Sequence, residues 1–89
     1  MDLEDYRKEI DRVNTEIADA VSRRMNIVEE IGEYKKEKGM EIKDEGREEK
    51  VKQQFEKLFE REDLPKEKGR EMAELLIEMA LEEEKGGEN

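Results

Sequence analysis

The chain has 89 residues, of which 33% are apolar and 52% charged, and it carries a net charge of −10 with neither cysteine nor histidine. That inventory removes disulfides, thiol nucleophiles, imidazole acid–base chemistry and zinc sites of the usual ligand types, and so negative a surface argues against nucleic acid or an anionic membrane as partner. A domain of this size standing alone buries only roughly 60 to 65% of the surface its unfolded chain exposes, a shortage that association relieves.

The first element is the longest. Leu3, Tyr6, Ile10, Val13, Ile17, Ala20, Ile27, Ile31 and Tyr34 recur at alternating steps of three and four, the seam of a helix-packing heptad. The pattern predicts one helix over about 1–39, capped at its start by Asp2 and ended by Gly39 in the left-handed conformation. At 1.5 Å per residue it reaches roughly 54 Å. Gly32 lies inside it at a cost of about 1 kcal/mol relative to alanine, either as a tolerated small residue or as a point of close approach. Arg24 occupies the seam step between Ala20 and Ile27, so a cation is aimed where an apolar side chain is due. An unpaired guanidinium there needs an internal carboxylate, an open pocket or an anionic ligand.

Residues 40–44 read as a loop, with Asp44 capping a second helix over 45–62. Val51, Phe55, Leu58 and Phe59 give that helix one apolar stripe, and Glu48 and Lys52 are spaced for a surface i,i+4 pair. Asp63, Leu64 and Pro65 break the pattern, and Pro65 suits the first turn of a third helix over 65–85. Met72, Leu75, Leu76, Met79 and Ala80 are the expected buried face, followed by an acidic run before Gly86 and Gly87. No run approaches transmembrane length and the N-terminus lacks a signal-peptide core, so the expectation is a cytoplasmic protein. Abundant Glu and Lys match the bias of heat-adapted proteins.

The fold class is therefore all-α, with three helices in one domain spanning 1–89. A helix of 54 Å, by the roughly 1.5 Å rise per residue, is not covered by two of half its length. Its seam needs another copy of itself, which predicts an intertwined homodimer.

Three cations attach to the seam. Arg24 and Lys35 are eleven residues apart on one face, roughly 16 Å, so their side chains can converge on one small anion. Arg7 lies seventeen residues from Arg24, roughly 25 Å, and cannot reach the same ligand within one chain. In an antiparallel dimer the partner's Arg7 can. Each residue also has a plainer reading: Arg7 and Lys35 as solvated charges, Asp44 as a cap, Arg47 as surface charge and Glu48 as a first-turn acid favoured by the helix dipole.

The stretch YRKEIDRVNTEIADAVSRR, then IGEYK, then KDEGREEKV after a short loop, resembles the small all-helical chorismate mutases over nearly the whole chain. The most specific part is the spaced set Arg7, Arg24, Lys35, Asp44, Arg47 and Glu48. The resemblance implies conversion of chorismate to prephenate, on the route to phenylalanine and tyrosine, by an intramolecular Claisen rearrangement that requires no cofactor and no metal. It implies that Arg24 and the partner's Arg7 hold the substrate carboxylates with help from Arg47. Lys35 would reach the ether oxygen and a carboxylate, while Glu48 would accept the ring hydroxyl beside the Asp44 backbone. Two positions depart from the family pattern. Ala80 stands where some members have a serine, and Glu84 where bacterial members commonly place a glutamine donor to the ether oxygen. Glu84 is expected to work protonated, as in an arrangement resembling that of fungal members, or else to belong with Glu82 and Glu83 to a solvated acidic end. The rival from another class is a non-catalytic helical dimerisation module, which explains the seam but not the cation within it.

Overall fold

A computed structural model describes residues 1–86 and shows three helices without a strand among them: α1 over Leu3–Lys38, α2 over Glu45–Arg61 and α3 over Lys66–Glu84. Gly87, beyond the acidic run, lies outside the described residues. Local chemistry sets the boundaries. Asp2 accepts from the Asp5 backbone N–H while Asp5 accepts from that of Asp2, so two orphan donors at the start of α1 are satisfied reciprocally. Gly39 closes the helix at φ 67, where a side chain would be strained, and Met40 N donates to Lys35 O at 2.8 Å. Asp44 starts α2 by accepting from Arg47 N at 3.0 Å. Pro65 takes the cap position before α3 rather than a place in its first turn, and makes no side-chain cap bond.

The helices pack as a chain of neighbours. α2 lies along α3, and α3 crosses the C-terminal half of α1, whereas the backbones of α1 and α2 make no close approach. The α2–α3 contact is tight at Gly69, where a β-carbon would come within 2.5 Å of Phe55 O and 2.8 Å of Phe59 Cγ. Across the same pair Arg70 donates to both carboxylate oxygens of Glu49, at 3.2 and 3.0 Å, and faces Glu56 at 3.7 Å. Gly69, Ala73 and Leu76 form the buried face of α3, with Ala73 at 0% exposure. This corrects the expectation for that helix, since Met72 and Leu75 are exposed. The small residues are inside because they let two helices approach closely, which a hydrophobicity pattern alone does not register.

α1 also turns differently from the expectation. The residues it buries within the chain are Val28 and Gly32, flanked by Val21, Met25 and Lys35, one position off the heptad seam. Eight apolar seam side chains, from Leu3 to Tyr34, remain between 41 and 61% exposed. The N-terminal half of α1 projects free of the other helices and stretches the molecule to 55 × 26 × 18 Å. No helix among the described residues is long and apolar enough to cross a membrane.

Candidate active site

Because α1 and α2 are held apart while both serve α3, a cavity of about 410 Å³ opens between them. Its walls are apolar: Ile27, Val28 and Ile31 from α1, Val51 from α2, Ile77 and Leu81 from α3, and Ile42 from the connecting loop. Its polar lining is Arg24, Lys35, Asp44, Arg47, Glu48 and Glu84. With Ala80, seven of the eight residues singled out from the sequence line this one space. Arg7 is the exception. It lies in the projecting half of α1, exposed, with Nη1 2.8 Å from Glu4.

The cations are held in different ways. Arg24 is half-buried, and its Nη1 is buried without a hydrogen-bond partner. No carboxylate pairs with it among the described residues. Partial burial first, and the like charge of Arg47 second, hold its guanidinium below the usual arginine range. An arginine nevertheless stays protonated in a protein, so this end of the cavity keeps an unneutralised positive charge. Arg47 is exposed in the first turn of α2, where its backbone N–H serves the Asp44 cap and its side chain reaches the cavity rim.

Lys35 is better anchored. Its Nζ donates to Ile42 O at 2.6 Å, tying the last turn of α1 to the loop, and lies 2.7 Å from Glu84 Oε1. Both side chains are mostly enclosed, at 17 and 9% exposure, so Glu84 does not belong to the solvated acidic end. The contact is an ion pair rather than an aligned hydrogen bond, which leaves Glu84 Oε1 buried without a hydrogen-bond donor. Buried polar atoms without directed partners, on two residues that line one cavity, carry a cost that a charged or polar ligand can offset.

Glu48 is half-buried, and both its carboxylate oxygens accept from Lys43 Nζ, at 3.1 and 3.0 Å. The expected surface pair with Lys52 is not formed: Glu48 faces the cavity, and Lys43, one residue before the cap, folds over onto it. Sequence reasoning passed over Lys43, although a lysine five residues ahead of an acid across a helix start was a legible signal. It also passed over Ile77 and Leu81. Their side of α3 becomes a wall only because α1 and α2 stand apart.

An all-helical scaffold thus presents a small, apolar-walled cavity lined by three cations and three acids, a site suited to a compact organic anion with a hydroxyl group. The family model described as chorismate mutase type II matches residues 6–85, and the chain belongs to that family. It is accordingly an isomerase, a chorismate mutase. No curated protein matches the chain. No solved structure matches it either.

Proposed function

We propose that this cavity binds chorismate in a folded conformer and accelerates its rearrangement to prephenate by restriction and by electrostatic stabilisation. Residues 1–89 act as the single catalytic domain. The reaction breaks the ether C–O bond and forms a C–C bond within one molecule, so it calls for no nucleophile and no proton carrier. What it requires is a dicarboxylate held in a near-attack geometry and support for the negative charge that develops on the ether oxygen. Arg24 and the partner's Arg7 grip the two carboxylates, with Arg47 assisting. Lys35 meets one carboxylate and the ether oxygen, and Glu48 accepts the ring hydroxyl beside the Asp44 backbone. Lys43 keeps the Glu48 charge compensated while a dianion enters.

The observation that carries this reading is Arg24 itself, half-buried in the lining of an apolar-walled cavity beside Arg47, with its Nη1 buried and unpartnered. A chain that uses arginine only for solubility leaves it in water. Glu84 has a counter-ion, Lys35. With Lys35, Glu84 is the group this reading places at the ether oxygen, as a hydrogen-bond donor. Ala80 leaves that wall without a hydroxyl contact.

The shared-site homodimer is part of the proposal. Arg24, Ile27 and Ile31 belong both to the exposed seam and to the cavity wall, so a second helix laid along the seam would also close the cavity. A dimerisation module without catalysis accounts for the seam alone. The net charge of −10 repels a dianion at long range, so the cavity acts as a local positive island and kcat/KM rises with moderate salt. The direct test follows loss of chorismate absorbance with the purified chain. Mixing Arg7→Ala and Arg24→Ala chains then tests sharing, because a heterodimer regains one complete site. Inactivity of the parent would end the catalytic reading. No recovery after verified subunit exchange would end delivery of Arg7 in trans.

A further inference from the structure

The end of α3 meets α1 at Gly32, beside the cavity-lining Glu84. A β-carbon on Gly32 would lie 3.2 Å from Glu84 Cα and 3.6 Å from both Glu84 Cβ and Cγ. The nearest of these atoms is backbone, which has no rotamer to move into, so α3 itself would have to retreat by a few tenths of an ångström. Gly32 is helical rather than left-handed, and the requirement is for space and not for conformation. Alanine in its place favours the helix.

Two groups of the cavity hang from this contact. Glu84 is the residue that meets Gly32, and Lys35 is one turn further along the same face of α1. Lys35 Nζ is held from its other side by Ile42 O at 2.6 Å, so it cannot follow a retreating carboxylate without giving up that bond. The 2.7 Å between Lys35 Nζ and Glu84 Oε1 is therefore set by how close the two backbones come at Gly32. We infer that Gly32 is a positioning residue for the reaction: the missing side chain brings Glu84 and Lys35 to the separation at which both address the ether oxygen. This rests on the reading of Glu84 and Lys35 as groups that act on the substrate.

The test is a cycle of Gly32→Ala, Glu84→Ala and the double variant, with kcat, KM and thermal melts measured for each. Misplacing a reacting group by about 1 Å costs on the order of 100-fold, so a shift of a few tenths predicts a fall in kcat of about four- to tenfold for Gly32→Ala, with KM changed less than about twofold. In the Glu84→Ala background the same substitution should cost less than about twofold in kcat, because no carboxylate remains to be misplaced. Equal losses in both backgrounds would reduce Gly32 to a packing residue and overturn the inference alone. A Gly32→Ala chain that does not fold would overturn it as well, since it requires α3 to yield only slightly. Unaltered kcat in Glu84→Ala would instead remove the role of Glu84, and with it both readings.

Discussion

Removing the Arg24 side chain separates the requirements of binding from those of stability. The guanidinium is half-buried, has a buried Nη1 without a partner, and feels the like charge of Arg47. It has lost hydration without gaining an ion pair, so its charge adds no stability and weighs against folding. The methylene stem does contribute, at about 0.8 kcal/mol for each fully buried CH₂. These effects oppose one another, and Arg24→Ala should leave the unfolding free energy within about 1 kcal/mol of the parent, well below the loss typical of a buried apolar residue. Activity should behave otherwise. Withdrawing one preorganised charged donor from an enclosed site costs about 2.7 to 4 kcal/mol of transition-state stabilisation, or about 10² to 10³ in kcat/KM. The assay is the loss of chorismate absorbance under kcat/KM conditions, run beside thermal melts of both proteins. A variant within about threefold of parental kcat/KM would refute the assignment of Arg24 to a substrate carboxylate, since even a single hydrogen bond to a charged group is worth about 1.5 kcal/mol. A variant that melts far below the parent would refute the claim that its charge adds no stability to the fold.

Three further outcomes follow from the same geometry. If Glu84 donates to the ether oxygen, Glu84→Ala lowers kcat at least about tenfold while Glu84→Gln, which keeps a donor, retains most of it; equal losses in the two variants exclude the donor role. Hydrogen bonds from Arg70 hold the Glu49 carboxyl below the usual carboxylate range, so this clamp between α2 and α3 is fully formed above the ordinary glutamate value of about 4.3 and is lost as pH falls through the lower folded value. Arg70→Ala should therefore narrow the Tm difference between neutral solution and about pH 3, and equal acid sensitivity of the two chains would discount the clamp. Placing a charge in the exposed seam with Ile17→Asp should yield a monomer in sedimentation and abolish most activity, because each seam side chain buried on association is worth roughly 1.5 to 3 kcal/mol. An active monomer would discount the shared site.

Much of the scaffold was legible in advance because it rests on local rules. The Asp2 and Asp44 caps, the left-handed Gly39 and the break at Asp63 to Pro65 are decided by a few neighbouring residues, and the structure has each of them. Asp63 itself takes φ 59, a conformation that a short polar side chain tolerates. The heptad identified α1 as one helix and picked out Arg24 as its misfit. Periodicity orders residues around a helix axis, however, without saying which neighbour meets which face. The stripe of α1 that this chain buries is the one holding Val28 and Gly32, and the seam is left over.

The amino-acid sequence by itself decided the three helices, their ends and the register that aligns Arg24 with Lys35, since all of these follow from backbone hydrogen bonding and side-chain spacing along one chain. Tertiary structure decided the rest. Gly32 and Gly69 matter for what they allow to come near, Glu84 acquires Lys35 from far away in the chain, and Ile77 and Leu81 become a cavity wall. Those relations depend on distances between elements, which burial and close packing settle only once all three helices are in contact.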